Sequence, residues 1–151
     1  MNEQSDRDAA LKKTLERVLA EFQSETGTIH LLDAEKQSLH LVAQVGLPPQ
    51  MLDVVKTIPV GKGIAGQTVA QNKPVTICNL QTDSSGVGKP GARQSGVGGA
   101  LCVPIRKGDQ LLGAIGIGTR REHQYTPEET ARLEAIADEL GAGLPAWPRP
   151  Q

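Results

Sequence analysis

Aromatic residues are nearly absent: Phe22, Tyr125 and Trp147 are the only three among 151 residues. Flat ligands such as nucleobases stack on aromatic faces, and single-stranded nucleic acid uses the same platforms, so this chain offers them little. The core must then be filled by Leu, Ile, Val and Ala, which a hydrophobic share of 38% allows. An excess of one charge is also lacking. With 16 Lys and Arg against 17 Asp and Glu, the net charge is −1. No basic run is present, so no nucleic-acid partner held through phosphate neutralisation is expected. No apolar run approaches the roughly 20 residues of a membrane span, so no membrane partner is expected either. The polar start, Met1 to Asp8, lacks the charged and apolar regions of a secretory signal, and the expected compartment is cytoplasmic. The two cysteines, Cys78 and Cys102, fit that setting as free thiols.

The length suits one domain. Composition divides it into a flexible N-terminus over 1–8, a folded unit over 9–144 and a flexible Pro-rich tail over 145–151. Leu11, Leu15, Val18, Leu19 and Phe22 recur at helical spacing among charged residues and predict an amphipathic helix over Asp6 to Gln23. Thr28 to Leu32 and Ser38 to Val45 read as strands joined by a turn at Asp33 to Gln37. Gln50 to Lys56 is a candidate short helix. Ile58 to Gly63 reads as a turn into a second short helix, Ile64 to Gln71. Val75 to Ile77 is a short strand. A hairpin follows from Gly99 to Arg106 and from Gln110 to Thr119. The last helix carries a clear start signal, with Thr126 as N-cap, Pro127 at the first position and Glu129 completing a capping box. Its apolar stripe is Leu133, Ile136, Ala137 and Leu140. Gly141 and Gly143 should weaken its end, and Pro145 should stop it.

The segment Gln81 to Val97 has no periodicity. Four glycines and Pro90 interrupt it, and a structureless stretch of this length is more often a lid or a disordered segment than a simple connection. Asp83, Ser84, Lys89, Arg93 and Ser95 supply hydrogen-bonding groups; Arg93 could hold a carboxylate or phosphate through its planar fork, and Lys89 could add a point charge. Cys78 and Cys102 are further candidate ligand contacts, although Cys102, between Leu101 and Val103, also reads as a small buried hydrophobe. Gly61-Lys62-Gly63 could bind an anion at a helix start, but a tight turn is the simpler reading. If the first hairpin is symmetric, positions summing to about 70 face each other. His30 and His40 then lie close on one face, as a polar-rim pair or, with Asp33, as metal ligands. No catalytic arrangement, metal site or cofactor is expected.

Three segments resemble GAF domains. The first is Ile58-Pro-Val-Gly-Lys-Gly-Ile-Ala-Gly-Gln-Thr-Val-Ala-Gln-Asn-Lys-Pro-Val. The second is Gly99-Ala-Leu-Cys-Val-Pro-Ile, followed by a turn and Leu112-Gly-Ala-Ile-Gly-Ile. The third is the hairpin from Ile29-His-Leu-Leu-Asp to Leu41-Val-Ala-Gln-Val-Gly-Leu. The resemblance runs from Ala10 to Leu144 and makes 9–144 the GAF-like domain. It implies an α+β fold of the GAF/PAS-like, profilin-like kind. A central antiparallel sheet of five or six strands would carry the terminal helices on one face. Short helices and loops would cover a pocket on the other. It also implies a sensory module with a small-molecule ligand, a homodimer through the terminal helices and a signalling partner. Subtype signatures are missing. Gly118-Thr-Arg-Arg-Glu-His-Gln-Tyr does not match the cyclic-nucleotide motif. Neither cysteine sits in a bilin-attachment setting or in the cysteine motifs of free methionine sulfoxide reductase, the enzyme known on this fold. The expected function is therefore non-enzymatic binding of a small polar or anionic ligand. A ligand-free scaffold and a thiol-dependent reductase are the alternatives.

Overall fold

The computed structural model describes residues 3–77 and 98–144. Helix α1 spans Glu3–Phe22, so residues 3–8, assigned above to the N-terminal extension, belong to the helix. The predicted stripe is buried: Leu11, Leu15, Val18, Leu19 and Phe22 are all at most 6% exposed. Burial of each such side chain contributes about 1.5–3 kcal/mol.

Six strands follow: β1 Thr26–Asp33, β2 Ser38–Val45, β3 Thr57–Pro59, β4 Val75–Ile77, β5 Ala100–Lys107 and β6 Gln110–Gly118. Between them lie α2 Pro49–Val55 and α3 Gly63–Gln71, and α4 Pro127–Gly143 closes the domain. The sheet order is β3-β2-β1-β6-β5-β4, and every pair is antiparallel. β3 corrects the expectation of a turn at Ile58 to Gly63. Its three residues pair Thr57, Ile58 and Pro59 with His40, Leu39 and Ser38. Proline is admitted there because the strand lies at the sheet margin.

Alternation divides the sheet into two faces. Ile29, Leu31, Leu101, Val103, Ile105, Ile115 and Ile117 form one core with the stripes of α1 and α4. The other face builds a smaller cluster of Leu39, Ala65, Val69, Cys102 and Ala114 under α3. The terminal helices are tied at one end. Arg132 holds Glu21 through Nε at 2.7 Å and Nη2 at 3.2 Å, and Ser24 Oγ lies 2.8 Å from Tyr125 OH. The capping box at Thr126 forms as expected, with Glu129 N donating to Thr126 Oγ1 at 3.0 Å and Thr126 N to Glu129 Oε1 at 2.8 Å.

Gly141 was expected to weaken the end of α4. It is instead a buried helical residue pressed against the backbone of Arg106, where a β-carbon would collide with the Arg106 carbonyl. The helix needs glycine here to approach the sheet.

Candidate functional site

The face of the sheet opposite the terminal helices forms a floor of three rows across β1, β6 and β5. Register places Thr26, Gly118 and Ala100 in one row, Thr28, Gly116 and Cys102 in the next, and His30, Ala114 and Pro104 in the third. The β6 member of each row is glycine or alanine. The floor is therefore notched along its middle strand. Over the first two rows lies a cavity of about 120 Å³, bounded above by Leu47 and by Ile64 and Ala65 of α3.

A β-carbon at Gly116 would lie 3.5 Å from both the Cys102 sulfur and the Thr28 hydroxyl oxygen, so a side chain there would enter the cavity. Thr68, fully buried on α3, donates from Oγ1 to Ile64 O at 2.8 Å. It also hydrogen-bonds with the Cys102 thiol. Burial outweighs that bond and pushes the thiol up to about 12. Cys102 is thus a 2% exposed wall residue whose burial favours the protonated thiol.

The turn before α3 is closed on itself. Gly61 and Gly63 take φ of 93° and 64°. Gly61 N donates to Gly66 O at 2.9 Å, and Gln67 Nε2 donates to Gly61 O at 2.7 Å. The Gly61 and Lys62 amides are thus spent inside the turn, the latter on Pro59 O at 3.1 Å.

His30 departs from expectation. The hairpin register sums to 71, with His30 opposite Leu41 and Leu31 opposite His40, so the two histidines fall on opposite faces. The offset arises at the turn, where Asp33 pairs with Ser38 and leaves four residues to the turn instead of five; the bulge between Ile29 and His30 shifts only the outer pairs. His30 is not a rim residue: it is 1% exposed. Its Nε2 lies 2.8 Å from Val55 O, which requires the proton on Nε2. Beside it, Leu41 N donates to Lys56 O at 3.0 Å, so this strand pair holds the end of α2. Burial, first, and the nearby His40 lower His30 to about 4 against the opposing effect of the Val55 bond. Its Nδ1 has no partner among the described residues. His40 faces Asp33 instead, at 3.8 Å, and Ser38 Oγ at 3.2 Å. Among the described residues no group of three His, Cys, Asp or Glu side chains could hold a metal ion.

Of the seven expected contacts, the structure places Cys102 in the cavity wall. Cys78, Asp83, Ser84, Lys89, Arg93 and Ser95 lie outside the described residues. The chain on either side of them is fixed by the pairing of Ile77 with Ala100, and Ala100 lines the cavity. Thr26, Thr28 and Gly116 were not expected. A signal for them was present in β6, where Ala114, Gly116 and Gly118 alternate with Ile115 and Ile117 and leave one face bare.

A family model described as GAF domain matches residues 4–144. No curated protein matches the sequence significantly. Among solved structures, the chain is similar to the GAF domain of a phosphoenolpyruvate-protein phosphotransferase from Coxiella burnetii, with TM-score 0.77 and 21% identity over 90% of this chain and 80% of that one. It is also similar to the type II free methionine-R-sulfoxide reductase of Thermoplasma acidophilum, with TM-score 0.75 and 18% identity over 93% of both chains. The free methionine-R-sulfoxide reductase of Neisseria meningitidis, solved with its substrate, gives TM-score 0.74 and 18% identity over 92% of this chain and 78% of that one. At these identities the likeness is one of fold.

Proposed function

This chain belongs to the GAF-domain family, and from that premise we propose that it is a non-enzymatic sensory module taking a small ligand in the cavity between α3 and the sheet. The observation that carries the reading is the notch at Gly116, open between Thr28 and Cys102 and roofed by Ile64 and Ala65. A ligand there would favour one placement of α3 over another and so shift the population of states. Lys89 and Arg93 remain the proposed contacts for an anionic group, and a cytoplasmic setting is part of the same reading. Native mass spectrometry of the purified chain tests it. The wild type should carry a small co-purified molecule that the Gly116→Val variant lacks. Equal occupancy in both would place the ligand elsewhere, and an empty wild type would favour a scaffold.

Two of the structural relatives are reductases, so a thiol-dependent reductase is the second reading. The state of Cys102 leaves Cys78 as its candidate nucleophile. Turnover of free methionine sulfoxide that disappears in Cys78→Ser would establish it, and absence of turnover would end it. A homodimer through the terminal helices is likewise a proposal. The apolar stripes that suggested it are covered by the sheet, so such a dimer would rest on the charged outer faces of α1 and α4. Sedimentation at high concentration tests it.

A further inference from the structure

The helix that roofs the cavity is gripped at its far end by a single side chain. Asn72 closes α3 in the left-handed region, at φ 53°. Arg106 of β5 holds it twice, donating from Nε to Asn72 Oδ1 at 2.8 Å and from Nη2 to Asn72 O at 2.7 Å. A planar guanidinium bound at two points fixes the direction of its partner as well as the distance. The backbone of the same arginine is the surface on which Gly141 rests. A β-carbon at 141 would run into the Arg106 carbonyl and lie 3.4 Å from its amide nitrogen. Arg106 also stands where the β5–β6 register shifts, between Ile105 and Arg106, so the ladder around it is locally irregular.

The first turn of α3 carries Ile64 and Ala65 into the cavity. Nine helical residues make a rod about 13 Å long, stiff enough to deliver a push at one end to the other. Arg106 joins that other end to the last turn of α4, the final element of the described chain. No side chain stands between Gly141 and the strand to absorb a displacement. We propose that Arg106 is the positioning residue that transmits the state of the cavity from α3 to the last turn of α4. This rests on the cavity being the ligand site, as proposed above.

The test needs no identified ligand. Gly116→Leu places a side chain in the cavity as a steric stand-in for an occupant. Amide hydrogen exchange is read over α3 and over Leu140 to Leu144, in Gly116→Leu and in Gly116→Leu/Arg106→Lys, each against its own Gly116 parent. Lysine keeps the charge and loses the fork. Exchange in both segments should change about fivefold or more in Gly116→Leu. In the Arg106→Lys background the α3 response should persist while the α4 response disappears. An α4 response that survives Arg106→Lys would overturn the proposal, as would an α3 response with none in α4; either leaves the cavity reading standing. No response in either segment would remove the cavity reading along with the coupling. If Gly116→Leu fails to fold, Gly116→Val serves in the same design, since its β-carbon sits in ordinary contact and its branches fill the gap.

Discussion

Thr28 and Cys102 face each other across Gly116, each with its terminal atom 3.5 Å from where a β-carbon on that glycine would stand. An alanine fits this gap without displacing either neighbour, and a valine fills it. Gly116→Val should therefore fold with a stability within about 1 kcal/mol of wild type, because the better strand propensity of valine offsets the closer packing. It should nonetheless lose any small molecule that occupies the notch. Denaturation and native mass spectrometry on the same preparation separate the two effects.

His30 gives the fold a pH dependence. Its value in the folded state, about 4, lies below the ordinary 6.5, so the fold favours the neutral ring. The associated stability is complete above about pH 6.5, is lost as pH falls toward 4, and corresponds to about 3 kcal/mol across that window. Urea titrations at neutral pH and near pH 4 should show this decline in wild type and a decline smaller by that amount in His30→Leu. Identical slopes would mean that the ring does not stay neutral.

Gly141 and Gly143 separate two opposite effects of alanine in one helix. Propensity alone favours each substitution by about 1 kcal/mol. At Gly143 nothing lies within 4 Å of the added carbon. Gly143→Ala should be neutral or stabilising in a thermal melt. At Gly141 the carbon meets the Arg106 backbone, and Gly141→Ala should lower stability by about 1–3 kcal/mol in spite of its propensity.

The capping box at the start of α4 is exposed and local. Thr126→Ala should cost about 1 kcal/mol, read as a shifted denaturant midpoint at unchanged slope.

Cys102 should resist alkylation. With its thiol pushed up to about 12 and buried under α3, it should stay unmodified by iodoacetamide in the folded protein and react once urea unfolds it. Peptide mapping after labelling reads this residue separately from Cys78. Rapid modification in the native state would revive it as a nucleophile.

The order of elements was legible because its punctuation is strong. The Thr126-Pro127 start, the Lys107-Gly108-Asp109 turn and the stripes of both terminal helices fix most boundaries to within a few residues. β3 was not legible, since three residues ending in Pro59 give no periodicity and depend on β2 for their existence. The facing of His30 was misread for a similar reason. The expected turn over Asp33 to Gln37 centres the hairpin on Glu35, whereas Asp33 pairs with Ser38 and leaves a turn of four residues, and one position decides which side of a sheet a ring occupies. Gly141 looked like a helix breaker because a close approach to Arg106 leaves no trace in local sequence. The cavity was half legible. Cys102, named from the sequence as a ligand contact, stands in its wall, whereas its floor lies in the absence of side chains at Gly116 and Gly118, which a search for chemistry-bearing residues passes over.

The sheet ends on either side in a strand of three residues, β3 and β4. An extended peptide arriving at a sheet margin gains affinity from each amide and carbonyl it can engage, and among the described residues the outermost strand on each side offers three. At β3 the template is further spoiled by Pro59, which has no amide hydrogen to offer. Backbone addition along β3 is thus poorly served, with two amides in three residues.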